Sequence, residues 1–161
     1  MEIYILRHAI AEDHRPGRRD QDRALTEEGR KKLRPVLERA RSARVEPSLI
    51  LTSPYVRAVQ TAEMAAEALG YKGTLVRTET LVPGSVPQAA WLEIREHRGE
   101  KAILLAGHEP LLSAIAAYLL GAPGMAIEFK KGALLRIDVD ASAREPRGTL
   151  QWLVTPKLAG A

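Results

Sequence analysis

The chain of 161 residues contains no cysteine, which excludes disulfides, thiolate metal sites and thiol catalysis. Its four histidines show neither His-Glu-x-x-His nor His-x-His spacing, so we expect no metal and no other cofactor. The apolar segment 111–120 is too short for a membrane span, which takes roughly 20 residues. No basic-then-apolar leader precedes the first apolar run, and we therefore expect a cytoplasmic protein without membrane contact.

Aromatic residues are scarce, at 4%, and the formal net charge is +4. Much of the excess positive charge lies in the basic stretch 15–44, where it is mixed with acidic residues. This stretch predicts either a solvated basic face or a docking surface for an acidic or phosphorylated protein. The scarcity of aromatics and the lack of a DNA- or RNA-binding motif argue against nucleic acid as a partner.

Apolar periodicity and turn residues predict a single α/β domain over residues 1–161. Strands alternate with helices, which favours a three-layer α/β/α sandwich around a mostly parallel sheet, without a cap domain. A polar turn joins the last two strands, so we expect a late edge strand to be antiparallel. The predicted strands cover residues 2–6, 49–52, 74–77, 102–106, 133–139 and 150–154.

Capping residues mark the predicted helices. Thr26 can cap the first helix, in which Pro35 should cause a kink or a reset. Ser53 and Pro54 suit the cap and first position of the second helix, and Gly70 suits the position after its end. The other predicted helices cover residues 88–97 and 110–121, and residues 9–25 and 78–86 form loops.

Three predicted strands end beside a residue that carries charge or protons. Arg7 and His8 end the first strand, Arg57 lies just past the second, and His108 follows the strand at 102–106. Ligands of open α/β sheets bind at the C-terminal ends of the strands. A cation in a first helical turn, as Arg57 would be, is unfavourable unless an anion also binds there. Two arginines at this edge suit a phosphoryl group better than a single carboxylate.

His8 is then the candidate nucleophile, because a neutral imidazole can attack phosphorus and form a phosphohistidine. The arginine neighbours should lower the pKa of His8 and favour this role. His108 is placed to hydrogen-bond the transferred group, and in its protonated form it would stabilise the transition-state charge. We therefore predict opposite protonation states for the two rings, and we expect His14 and His97 to be surface residues.

Four short motifs occur in order between Met1 and about Pro110. They are Leu6-Arg7-His8-Ala9, Leu25-Thr26-Glu27-Glu28-Gly29, the Ser-Pro-x-x-Arg-x-x-Gln-Thr-Ala pattern within residues 52–62, and Gly107-His108. Together they resemble the histidine phosphatase superfamily, which includes the phosphoglycerate mutases. In the first motif Ala9 stands where that family usually has glycine.

The resemblance implies a role for each matched residue. His8 would be phosphorylated, and Arg7, Arg57 and His108 would form the phosphate pocket. Phosphoester enzymes of this family also use a carboxylate general acid from a loop after the third strand. Glu79 is the nearest match to that acid in this chain, and Glu109, beside His108, is a second candidate.

The short length of the chain limits which members of this family it resembles. About 45 residues separate Arg7 from Ser53, too few for a cap domain over the site. In this the chain resembles the SixA-type phosphohistidine phosphatases, which act on phosphohistidine in signalling proteins. The resemblance thus implies a metal-independent phosphatase acting on a phosphorylated protein. Two alternatives stay open, a phosphatase of small phosphorylated metabolites and a non-catalytic module that binds phosphorylated partners, and the sequence leaves the oligomeric state undetermined.

Overall fold

The computed structural model describes all 161 residues, and six strands form one sheet at its centre. In chain order the strands are β1 Glu2–Arg7, β2 Leu49–Thr52, β3 Val76–Arg77, β4 Ala102–Gly107, β5 Leu134–Asp138 and β6 Thr149–Val154. Across the sheet their order is β3-β2-β4-β1-β5-β6. The β1, β2, β3 and β4 pairings are parallel, whereas β5 is antiparallel to both of its neighbours. The predicted parallel sheet with late antiparallel pairing is confirmed, and the reversed strand lies one position in from the edge.

Five helices cover the two faces of the sheet. They are α1 Glu27–Ser42, α2 Val56–Leu69, α3 Pro87–Glu96, α4 Leu111–Leu119 and α5 Pro156–Ala159. One core cluster joins α1 and α2 to alternate strand residues such as Tyr4, Ile50 and Leu104. The other joins α3 and α4 to the intervening residues, such as Ile3 and Leu105. This alternation is what a sheet with both faces buried requires, and it confirms the three-layer sandwich.

The register of the central strands positions the candidate site. Arg7 at the end of β1 lies opposite Gly107 at the end of β4, and Thr52 of β2 lies opposite Ala106. The residues that follow these three strands therefore leave the sheet side by side at one edge. None of the helices combines the length and the hydropathy needed to cross a membrane.

One local prediction about the helices is wrong, and a second is wrong in one of its two alternatives. The helix α2 begins at Val56 rather than at Pro54, and Ser53 does not cap it. The Ser53 hydroxyl group is engaged elsewhere, with the ring of His108. Pro35 does not reset α1, which runs as one helix because buried residues such as Leu33 and Val36 hold it to the sheet on both sides of the proline.

Three further segments are shorter or more ordered than predicted. The strand expected at 74–77 is reduced to Val76–Arg77. The segments 9–25 and 78–86, predicted as loops, each contain one turn of 3-10 helix, at Asp20–Asp22 and at Glu79–Leu81. Both turns carry acidic side chains toward the edge of the sheet where the site lies.

Candidate active site

The structure brings the two predicted histidines together at the C-terminal edge of the sheet. The ring centroids of His8 and His108 are 5.1 Å apart, with 55° between the ring planes. Both side chains are buried, with 7% and 2% of their surface exposed. His14 is exposed, and His97 is half-buried at the C-terminal end of α3 and does not contact either ring.

His8 has the geometry of a neutral nucleophile. Its backbone N–H donates to the carbonyl oxygen of Gly107 at 3.0 Å, which holds the residue against β4. Its Nδ1 lies 2.7 Å from the carbonyl oxygen of Ala9, an acceptor, so Nδ1 carries the proton and Nε2 keeps its lone pair. Burial, with help from the charges of Arg57 and Arg7, lowers the pKa of His8 to about 4. At neutral pH the Nε2 lone pair is available for attack.

The segment after His8 is held by residues of α2. The backbone N–H of Ala9 donates to Oγ1 of Thr61 at 3.2 Å, and that hydroxyl donates to the carbonyl oxygen of Arg57 at 2.7 Å. The neighbouring Gln60 accepts from the backbone N–H of Leu25 at 2.8 Å. The Gln-Thr pair of the sequence motif thus ties two loops to the helix that carries Arg57.

The start of α1 holds the same segment from the other side. The carbonyl oxygen of Ile10 accepts from the backbone N–H of Thr26 at 3.0 Å. A Cβ atom on Gly29 would lie 2.1 Å from that same oxygen, so only glycine permits this approach. The Thr and Gly of the Leu-Thr-x-x-Gly motif therefore hold the backbone that follows His8 close to α1.

Arg57 lies in the first turn of α2, as predicted, and is only 3% exposed. Its Nη1 donates to the carbonyl oxygen of Asp20 at 2.8 Å, and its Nη2 pairs with Oδ2 of Asp20 at 2.9 Å. Its guanidinium carbon lies 5.0 Å from the centroid of the Tyr55 ring. Asp20 was not identified from the sequence, because nothing in its loop context distinguishes it from the other acidic residues nearby.

Arg7 reaches the site from the end of β1. Its Nη1 donates to the carbonyl oxygen of Phe129 at 2.5 Å. Burial lowers the pKa of Arg7, and the charge of the Glu109 carboxylate opposes that shift. Four buried side-chain nitrogens in the protein lack a hydrogen-bond partner, and three of them are Arg7 Nε, Arg57 Nε and His108 Nδ1. Since buried donors are almost always paired, three unpaired ones in one cluster indicate a site for an anion.

The electrostatics of His108 differ from the prediction. Burial, followed by the electrostatic influence of the His8 ring and of Arg57, lowers the pKa of His108 to about 2. Burial thus favours the neutral form of both rings, which argues against the predicted opposite protonation states. The physical reason is that a buried ring near an arginine disfavours a further positive charge.

The two candidate general acids occupy different positions. Glu109 accepts from the backbone N–H of Ser113 at 2.8 Å and so pairs with a backbone donor in the first turn of α4. Glu79 is exposed and lines a cleft of about 390 Å³ beside Tyr55, whose ring centroid is 5.1 Å from that of His108. The other residues lining this cleft are Gln21, Asp22, Pro54, Val56 and Val82. Of the two carboxylates, Glu79 is the one that lines this cleft.

Four of the eleven basic residues in the basic stretch 15–44 form local ion pairs. The pairs are Arg18–Glu12, Arg19–Asp22, Arg23–Asp20 and Lys32–Glu28, at 2.6 to 2.8 Å. Three further arginines line a cleft of about 600 Å³ between α1 and the second half of α2. No group of three or more His, Cys, Asp or Glu side chains is arranged to hold a metal ion.

Comparison with known proteins places this site in a family. Residues 3–81 match the family model of the histidine phosphatase superfamily (branch 1). An uncharacterized protein of Picosynechococcus sp. is 37% identical over 139 residues, which cover 84% of this chain and 83% of that protein. The phosphohistidine phosphatase SixA of Escherichia coli is 28% identical over 159 residues, 97% of this chain and 94% of that protein.

Solved structures show the same relationship over nearly the whole chain. The protein histidine phosphatase SixA complexed with tungstate has a TM-score of 0.88 at 26% identity, with 98% of each chain covered. A putative phosphohistidine phosphatase SixA from Agrobacterium tumefaciens has a TM-score of 0.81 at 25% identity, covering 96% of this chain and 97% of that one. Sequence motifs, fold and site geometry agree, and the chain belongs to the histidine phosphatase superfamily.

Proposed function

We propose that this protein is a metal-independent phosphatase in which His8 takes the phosphoryl group from a phosphohistidine carried on a protein. Membership of the superfamily supports the coarser statement, a phosphatase that works through a histidine. The observation that carries the residue assignment is the free Nε2 of His8 beside three buried nitrogens without partners. In this assignment Arg7, Arg57 and His108 hold the oxygens of the phosphoryl group.

The reaction proceeds in two steps. The Nε2 lone pair of His8 forms a bond to phosphorus while the bond from phosphorus to the substrate nitrogen breaks, and the departing ring keeps that electron pair. Water then attacks phosphorus, the bond to Nε2 breaks, and inorganic phosphate leaves. The equatorial oxygens carry negative charge in both transition states, where Arg7 and Arg57 stabilise it.

Two features of the site favour phosphohistidine over a phosphate ester. A phosphohistidine ring with a proton on its other nitrogen leaves as neutral imidazole, so it needs no general acid, whereas an alkoxide needs one. Glu109 is engaged with α4, and Glu79 is exposed at the rim of the cleft rather than buried beside His8. The ring of Tyr55 lines the cleft, and in this proposal a planar imidazole of the substrate stacks on it.

A rapid-quench experiment with a labelled phosphohistidine protein tests the proposal. We expect an acid-labile, base-stable phosphoenzyme in the wild type and none in a His8→Asn variant. Substitution of His14, the exposed histidine, should leave trapping unchanged and serves as the matched control. Full activity in His8→Asn would refute the nucleophile, and binding of phosphohistidine without turnover would favour the non-catalytic module.

Hydrolysis of small phosphate esters is the second candidate, because Glu79 lines the cleft beside Tyr55. Turnover of the phosphohistidine protein and of sugar phosphates should be compared for the wild type and for Glu79→Gln. The exposed Glu96 of α3 provides the control substitution Glu96→Gln. We expect Glu79→Gln to leave phosphohistidine turnover within about twofold. Strong ester turnover that depends on Glu79 would favour the second candidate.

A further inference from the structure

The buried hydroxyl group of Ser53 contacts the ring of His108. Its Oγ lies 2.8 Å from Nε2 of His108 and accepts from the backbone N–H of Tyr55 at 3.3 Å. Ser53 lies immediately after β2 and has no exposed surface. These are the two hydrogen-bonding contacts of that hydroxyl, and together they fix which atom donates to which.

A serine hydroxyl has one proton to donate and two lone pairs to accept with. If Nε2 of His108 donated to Ser53, the serine proton would be buried with no acceptor, an unfavourable arrangement. If Ser53 donates to Nε2, every hydrogen-bonding requirement of the hydroxyl is met. The neutral ring then carries its one proton on Nδ1.

The other nitrogen of the His108 ring leads to the same arrangement. Nδ1 is buried and has no partner in the protein, and the charged groups that act on the ring are Arg57, Arg23 and Asp20. A bare lone pair on Nδ1 would repel the oxygens of an entering phosphoryl group. A proton on Nδ1 makes that nitrogen a donor to them, at the end of a chain of hydrogen bonds that runs from the Tyr55 N–H through Ser53.

We propose that Ser53 is a positioning residue that fixes His108 as the Nδ1–H tautomer, so that this N–H donates to an oxygen of the transferred phosphoryl group. The donation to phosphate rests on the proposed function, whereas the choice of tautomer does not. This assigns to the Ser of the Ser-Pro motif a purpose distinct from helix capping. The role is to present a neutral donor where a buried imidazolium is disfavoured.

Nitrogen NMR of protein labelled with ¹⁵N-histidine tests the tautomer directly, because the two ring nitrogens differ in chemical shift according to which carries the proton. His14→Gln and His97→Gln remove the two histidines outside the site and so simplify the assignment. We expect the Nδ1–H tautomer for His108 in the wild type and a mixture of tautomers in Ser53→Ala. A wild-type proton on Nε2, or an unchanged pattern in Ser53→Ala, would overturn the proposal.

Matched variants separate positioning from a general loss of structure. Ser53→Thr keeps the hydroxyl and should keep the tautomer, whereas Thr52→Val removes a buried hydroxyl that contacts the backbone carbonyl of Ser53 rather than the ring. We expect Ser53→Ala to lower kcat/KM roughly tenfold, mostly through kcat, and Thr52→Val to keep both rate and tautomer. Equal rate losses in Ser53→Ala and Thr52→Val, with no change in the His108 tautomer, would show a purely structural role.

The same measurements distinguish the two proposals. One outcome is that the wild type has the Nδ1–H tautomer, that Ser53→Ala loses it, and that the wild type shows no phosphatase turnover. This outcome would refute the proposed function and support the positioning role of Ser53. Normal turnover with the Nε2–H tautomer would support the function and refute the positioning role.

Discussion

Replacing Gly29 with alanine sets two physical effects against each other. Alanine is the better helix former, by about 1 kcal/mol inside a helix, so propensity alone predicts stabilisation. The new Cβ atom, however, would lie 2.1 Å from the carbonyl oxygen and 2.9 Å from the carbonyl carbon of Ile10. Ordinary contact begins at 3.4 Å, so α1 and the segment after His8 must separate by more than an ångström at that point.

That separation breaks the hydrogen bonds that Thr26 makes to Ile10, at 3.0 Å through its N–H and 3.3 Å through its hydroxyl. Each is worth about 1 kcal/mol, and overpacking against backbone costs a further ~1–3 kcal/mol. After subtracting the propensity gain, we expect Gly29→Ala to lower the free energy of unfolding by about 2–4 kcal/mol. For a chain of this size that lowers Tm by roughly 4–16 °C.

Thermal and urea unfolding followed by circular dichroism measure this change. Gly99→Ala is the matched control, because a Cβ atom on Gly99 meets nothing within 4 Å. We expect that control to unfold within about 0.5 kcal/mol of the wild type. Since Ile10 follows His8 by two residues, Gly29→Ala should also lower kcat. A Gly29→Ala protein as stable as the wild type would refute the close approach of α1 to the segment after His8.

Two further predictions concern charge in the site. In the unfolded chain His8 has its ordinary pKa, about 6.5, whereas in the folded protein its pKa is about 4. The neutral form of His8 therefore contributes its full stabilisation above about pH 6.5. That stabilisation is lost as the pH falls toward about 4. Urea unfolding should show that the free energy of unfolding falls between about pH 7 and about pH 5, and that this fall is about 2 kcal/mol smaller in His8→Asn than in the wild type. An equal fall in both proteins would contradict the shift in the pKa of His8. Asp20→Asn keeps an acceptor for Arg57 but removes the opposing charge, so calorimetry should show inorganic phosphate binding roughly fivefold tighter at low salt. Asp22→Asn, beside the exposed Arg19, is its control, and unchanged affinity in Asp20→Asn would refute the reasoning.

The residues that meet at the sheet edge could be predicted because their placement is encoded locally. Apolar runs predict β1, β2 and β4, and in parallel strands the residues that follow the C-terminal ends share one edge. His8, Arg57 and His108 needed no further information to be placed there. Even so, the local pattern wrongly predicts a helix cap at Ser53, where a contact across the fold outweighs the local preference for a cap.

The sequence by itself determined the family, the layered α/β fold and the placement of His8, Arg57 and His108 at one edge of the sheet, because periodicity and short motifs depend on neighbouring residues. Only the tertiary structure decided that Asp20 pairs with Arg57 and that Ser53 contacts His108. It also decided that burial lowers the pKa of both histidines. Such pairings join segments far apart in the chain, and a pKa depends on how deeply packing buries the group, which no local pattern encodes.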